Sequence, residues 1–150
     1  MPSFTLSIPS VGDHPELVRI WEASVRATHH FLPEDYLLTL RGLLLDQYLR
    51  AVDLIAARDD TGHWLGFAGT TPGVLEMLFI APEQRGKGIG KQLLDYTRKH
   101  HGVREVDVNE QNPQAIGFYL AQGFSVVSRS EVDGLGQPYP ILRMRVNAPR

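Results

Sequence analysis

Leu78-Phe79-Ile80-Ala81-Pro82-Glu83-Gln84-Arg85-Gly86-Lys87-Gly88-Ile89-Gly90 is the stretch whose reading organises the rest of the chain. An apolar run suited to a buried strand ends at Ile80. A turn with glycines at 86, 88 and 90 then leads into a helix carrying Leu93, Leu94 and Thr97. Glycine lets backbone amides approach a ligand with no Cβ in the way. The first helical turn adds unpaired N–H groups and a partial positive charge. Arg85, Lys87 and Lys91 add full charges, which gives the segment the chemistry of an anion site suited to a pyrophosphate. Two common phosphate loops do not fit. Lys91 stands where the last glycine of G-x-G-x-x-G belongs. Arg85 and Gln92 replace the first glycine and the Ser/Thr of G-x-x-x-x-G-K-[ST]. The loop also lies past mid-chain, after a hairpin, whereas both of those loops usually follow the first strand of a parallel sheet. On this segment alone, a glycine-rich turn without a ligand stays open.

Working backwards, Val74 to Ile80 is apolar apart from Glu76, as a central strand would be. Thr71-Pro72-Gly73 turns into it, and Trp64–Thr70 and Asp53–Arg58 form a hairpin around Asp60-Thr61-Gly62. Two helices are predicted before that. The first has Asp13 as cap, Pro15 in its first turn, and Leu17, Trp21, Ser24 or Val25, and Thr28 at helical spacing. The second opens at Pro33-Glu34-Asp35, with Leu37, Leu40, Leu44 and Tyr48 on one face, weakened at Gly42. Phe4 to Ile8 alternates like a strand. Working forwards, the helix after the loop ends near His100-His101-Gly102, and Val103–Asn109 is a strand. Asn112 caps a helix with Pro113 at its first position, and Gly123 closes it. Phe124–Val132 and Tyr139–Val146 are strands joined through Asp133-Gly134-Leu135-Gly136. The order β-αα-βββ-α-β-α-ββ implies a mixed sheet covered by helices.

The 150 residues fit one domain spanning 1–150. With no cysteine, disulfides and a cysteine nucleophile are excluded, and a reducing, cytoplasmic setting fits. A net charge of -2 gives no general pull toward nucleic acid. No secretory leader is expected at the N-terminus, and no apolar run approaches the roughly 18 residues of a spanning helix. No metal centre is expected either: His29-His30 and His100-His101 are adjacent pairs, and adjacent helical residues do not share a face.

Gln84-Arg85-Gly86-Lys87-Gly88-Ile89-Gly90 resembles the coenzyme A pyrophosphate loop of the GNAT superfamily, [QR]-x-x-G-x-[GA], with Arg85, Gly88 and Gly90 in the fixed positions. Asn112-Pro113-Gln114-Ala115-Ile116-Gly117-Phe118-Tyr119, followed by Gly123-Phe124, is similar to that family's second signature, N-x-x-A-x-x-F-Y then G-F. Together the two motifs are specific, and the element order extends the likeness to nearly the whole chain. Ala27-Thr28-His29, Val108-Asn109-Glu110-Gln111-Asn112 and Arg129-Ser130-Glu131-Val132-Asp133 narrow the likeness to the bacterial YjaB-type acetyltransferases. The resemblance implies an α/β (α+β) fold, with a central, mixed, mostly antiparallel sheet of about seven strands flanked by about four helices. It implies acetyl-CoA as co-substrate, and a small-molecule or protein amine as acceptor. It implies cofactor contacts from Leu78, Phe79, Ile80, Arg85, Gly86, Lys87, Gly88, Ile89, Gly90, Lys91, Asn112 and Tyr119.

The implied mechanism is direct attack of a neutral amine on the thioester in a ternary complex. It makes Tyr119 the acid that protonates the departing thiolate; a phenol with a pKa near 10 is protonated at neutral pH. The base is Glu76, His29 or solvent. Glu76 would act directly or through water if burial raised its pKa, and His29 titrates near neutrality between the first two helices. Phe31, Tyr36 and Tyr139 are candidates for the acceptor pocket, with Trp21 read as core. Two other readings remain at this stage: a module that senses acyl-CoA without turnover, and a toxin-type acetyltransferase acting on aminoacyl-tRNA. The chain is expected to be a monomer or a homodimer.

Overall fold

The computed structural model describes residues 3–147; Met1 and Pro2, part of the stretch read as free of a leader, lie outside them. The elements are β1 (Phe4–Ser7), α1 (His14–Thr28), α2 (Glu34–Asp46), β2 (Asp53–Asp59), β3 (Trp64–Thr71), β4 (Val74–Ile80), α3 (Ile89–His100), β5 (Glu105–Asn109), α4 (Pro113–Ala121), β6 (Phe124–Ser130) and β7 (Ile141–Val146). Seven strands form one sheet in the order β1-β2-β3-β4-β5-β7-β6, so the apolar β4 is the central strand. The pairings are antiparallel except β4 with β5. Fold class, strand number and helix number match the expectation.

Strand alternation divides the core in two. Ile55, Ala57, Leu65, Ala68, Leu75, Val106, Val108 and Met144 pack on one face with Ile89, Leu93 and Leu94 of α3 and Tyr119 of α4. Leu54, Ala56, Trp64 and Phe67 pack on the other with Leu17, Trp21 and Val25 of α1 and Leu37 and Leu44 of α2. Trp21 is core, as read. The β3–β4 contact is close. A Cβ on Gly66 would lie 2.7 Å from Ile80 Cδ1 and 2.9 Å from the Phe79 carbonyl oxygen, so only glycine fits there. Among the described residues, no helix is long and apolar enough to cross a membrane.

Several boundaries differ from the sequence reading, each for a local reason. Asp13 holds the N-cap position of α1, but its side chain makes no cap bond there. Its carboxylate turns back to accept from the Ser10 N–H (2.8 Å) and hydroxyl (3.0 Å), closing a 3-10 turn over Val11–Asp13. Tyr48 lies beyond α2, in a 3-10 turn over Tyr48–Arg50. Val103 and Arg104 precede β5, because their N–H groups go to the carbonyls of Thr97 and Gly73. The last hairpin is shorter than read. Asp133 and Gly136 bond within the loop, and the Tyr139 N–H turns to Gln137, which takes residues 131–140 out of the ladder.

His14 is buried, at 5% exposure, and its Nδ1 has no hydrogen-bond partner among the described residues. Burial, and then the charge of Arg50, push its pKa below the ordinary histidine value of 6.5. The unfolded chain therefore binds the proton more readily than the folded one. Stability is full above pH 6.5 and is lost as the pH falls toward the folded-state pKa, by at most about 1.4 kcal/mol per pH unit for one histidine. Urea midpoints between pH 7.5 and 5.5 should fall, and His14→Leu should flatten that slope.

Candidate active site

β4 and β5 pair only at Val74↔Glu105 and Leu75↔Val106. Beyond Leu75 the two strands part, and the edge of β4 that faced β5 is free along Leu78, Phe79 and Ile80. A bulge helps open the wedge: Gly69 pairs with Met77 and Thr70 with Leu75, which leaves Glu76 as the extra residue. The splayed sheet that sequence patterning alone does not reveal is thus present. Two cavities flank the free edge, and Phe79 lines both.

The smaller cavity, about 340 Å³, is lined by Leu78, Phe79, Ile80, Arg85, Gly86, Gly88, Ile89, Gly90, Lys91, Asn112, Tyr119 and His29. All the expected cofactor residues meet here except Lys87, whose ammonium turns to Gln84 Oε1 at 3.0 Å. Gly86 and Gly88 have φ of +79° and +80°, a backbone that disfavours any side chain and sends the chain into α3 at Gly88. Lys91 is paired with Asp95 at 2.8 Å. Arg85 is half-buried, and its guanidinium makes no hydrogen bond or ion pair among the described residues, while its backbone N–H closes the turn on the Pro82 carbonyl. A guanidinium so placed, beside glycine amides at a helix start, fits a phosphate-bearing ligand. Asn112 caps α4 as expected, its Oδ1 accepting from the Ala115 N–H (3.2 Å), and the residue also lines the cavity.

Tyr119 is 6% exposed, wedged between Phe118 and Phe124 at ring distances of 5.2 and 5.9 Å. Its hydroxyl has no protein partner among the described residues and borders the cavity. Burial pushes its pKa up, so it holds its proton at neutral pH. His29, at the C-cap of α1, also lines this cavity. Its Nδ1 is 2.7 Å from Thr28 Oγ1. Burial, then Arg85 and His30, push its pKa down.

The larger cavity, about 1180 Å³, lies over the other half of the sheet. On the β5–β7 floor the side chains lining this cavity are charged. Glu105 faces Arg145 and Asp107 faces Arg143 in register. Arg143 binds Asp107 (2.5 and 3.0 Å) and Glu105 (2.8 Å), and Arg145 binds Glu105 (2.6 Å). Arg145 and Arg143 hold the Glu105 carboxyl below its usual range. Glu76 opens into this cavity, exposed, and accepts from Thr71 Oγ1 at 3.1 Å. The bulge carries Glu76 to the cavity mouth, so it is exposed there and is not the buried strand glutamate that the sequence reading considered.

An aromatic row joins the two cavities: His29 to Phe31 (5.3 Å), Phe31 to Tyr139 (5.8 Å), and Tyr139 stacked on Tyr36 (5.4 Å). Tyr36 lines the larger cavity and donates its hydroxyl to Asp133. Asp133 also accepts from the N–H groups of Leu135 (3.0 Å) and Gln137 (2.9 Å), so it folds its own loop while holding α2. Sequence reasoning missed Ser24, Thr28 and Asp133. The last carried a signal, since an aspartate opening a D-G-x-G turn organises its own backbone. Among the described residues, no group of three or more histidine or acidic side chains is placed to hold a metal ion.

The family model described as "Acetyltransferase (GNAT) domain" matches residues 51–126. The chain is 43% identical over 129 residues to the peptidyl-lysine N-acetyltransferase YjaB of Salmonella typhimurium, covering 86% of this chain and 88% of that protein. It is 33% identical over 114 residues to the peptidyl-lysine N-acetyltransferase YiaC of Escherichia coli, covering 75% and 77%. The solution structure of apo-form YjaB from Escherichia coli superposes with a TM-score of 0.87 at 37% identity, covering 95% of this chain and 96% of that one.

Proposed function

This chain belongs to the GNAT acetyltransferase family, and we propose that it moves the acetyl group of acetyl-CoA onto a lysine side chain of a polypeptide while both substrates are bound. The observation that carries this reading is the pair of cavities meeting at Phe79, one built for a phosphate-bearing ligand and the other open and acidic. In the open cavity Glu105 and Asp107 are neutralised by arginines. Glu76 and Asp133 have no cationic partner among the described residues. That residual negative charge attracts an ammonium, and the named activity of the YjaB and YiaC relatives points to lysine.

Arg85 and the amides of Gly86, Gly88 and Gly90 hold the pyrophosphate, and Asn112 the arm beyond it. The free edge of β4 at Leu78, Phe79 and Ile80 meets the acetyl carbonyl and the oxyanion that forms from it. The protons balance as follows. The acceptor ammonium loses one to a base on the chain, Glu76 or His29, and its nitrogen attacks the thioester carbon. The C–S bond breaks, the sulfur takes the Tyr119 proton, and the second nitrogen proton restores the phenol. The retained Tyr119 hydroxyl and glycine loop argue against a module that senses acyl-CoA without turnover. The net charge of -2 argues against a tRNA substrate. The absence of cysteine suits work in the cytoplasm.

The test is calorimetric titration with acetyl-CoA and with ATP as control, followed by thiol release on lysine peptides and on small primary amines. Selective acetyl-CoA binding with peptide-dependent release supports the reading. Equal binding of ATP, or release with no amine, overturns it.

A further inference from the structure

The Thr28 hydroxyl has two neighbours, the Ser24 carbonyl oxygen at 2.8 Å and His29 Nδ1 at 2.7 Å. A hydroxyl has one hydrogen to give. The carbonyl can only accept, so the hydrogen goes to Ser24 and the Thr28 oxygen must accept from His29 Nδ1–H. The reverse arrangement would set two oxygen lone pairs against each other at 2.8 Å. A neutral imidazole carries one N–H, so its lone pair is left on Nε2. Nε2 has no protein partner among the described residues, and His29 borders the cavity that holds the Tyr119 hydroxyl and the free edge of β4.

The rest of the residue is fixed as well. Its N–H donates to Val25 O (2.7 Å), its carbonyl accepts from the Leu32 N–H (3.1 Å), and its ring packs on Phe31. The ring stands at the end of the aromatic row that starts in the open cavity. Glu76, in contrast, lines only that open cavity.

We propose that Thr28 is a positioning residue that locks His29 in its Nδ1–H form, so that His29 takes the acceptor's proton on Nε2. This rests on the acetyltransferase reading above. Burial first, then Arg85 from the loop and His30 beside it, favour the neutral imidazole; Tyr119 of α4 and Lys91 of α3, the latter paired with Asp95, line the same cavity. Once protonated, the imidazole lies at the carbonyl end of α1, where the helix dipole favours a cation. A hydroxyl orients the ring without the carboxylate charge that would raise its pKa.

The test pairs Thr28→Val with Thr28→Ser. Acetyl-CoA binding should be unchanged in both, which also reports folding. For Thr28→Val, kcat/KM for a lysine peptide should fall on the order of tenfold, and Thr28→Ser should recover most of it. Nitrogen-15 spectra of the native protein should show Nδ1 of His29 as the protonated nitrogen, with that form lost in Thr28→Val. His29→Gln should remove the acidic limb of the kcat/KM profile. Glu76→Gln should keep that limb and raise KM for the peptide. A full rate and an unchanged tautomer in Thr28→Val, or an acidic limb that survives His29→Gln, overturns the proposal. A native protein that releases no thiol with any amine overturns the acetyltransferase reading instead, and the tautomer measurement still reads the Thr28–His29 contact by itself.

Discussion

Tyr119→Phe binds acetyl-CoA as tightly as the native protein and turns over about 10²–10⁴ times more slowly: that is the expected result, set by the usual contribution of a positioned acid. The substitution removes one oxygen from a ring held by Phe118 and Phe124, so the shape of the site is kept. The hydroxyl bonds to no protein group among the described residues, so its removal orphans none and leaves stability nearly unchanged. Burial holds the native phenol protonated, as a proton donor to sulfur must be. Calorimetry reads the first half of the expectation, and single-turnover thiol release reads the second. Unchanged turnover would assign the sulfur's proton to water.

Arg85→Ala should act on the opposite term. A charge-assisted bond to a phosphate contributes about 1.5–3 kcal/mol, so the Kd for acetyl-CoA should rise roughly 10- to 100-fold while kcat at saturation changes little. The loss should shrink in high salt, where the native interaction is itself screened. A second effect has a definite sign. The Arg85 charge helps to hold the His29 pKa down. Removing it lets that pKa rise, and the acidic limb of kcat/KM should move to higher pH. A weakened Kd with an unmoved limb would place the guanidinium on the phosphate side alone.

What could be read from the sequence was local. Gly86 and Gly88, and Asn112 with Pro113, each carry their structural reason within a few residues, and each lies where it was expected. The chemistry proposed for the glycine loop rests on the same short window. What could not be read depends on register between distant strands. The bulge that exposes Glu76 exists only because β3 and β4 slip past one another at Gly69/Thr70. The polar floor was half legible, since Arg143 and Arg145 share the period of Glu105 and Asp107. Which arginine meets which acid is a property of the pairing. The Thr28–His29 contact could not be read at all. Adjacent residues in a helix diverge, and only the break at the end of α1, with His29 at φ -110° and ψ 57°, brings the two side chains together.

The parting of β4 from β5 also bears on how the molecule holds together. Two residue pairs are all that continue the ladder between β1–β4 and the β5–β7–β6 group. The sheet is therefore closer to two panels on a narrow hinge than to one plate, and among the described residues the panels share their backbone bonding only around Gly73, Val74 and Leu75. A ligand that lies along the free edge of β4 and touches α4 with its arm would lend the seam the bonding it lacks. The co-substrate is then a structural member as well as a reactant. The protein's resistance to opening should follow the supply of acetyl-CoA around it, stiff when that pool is full and slack when it runs down.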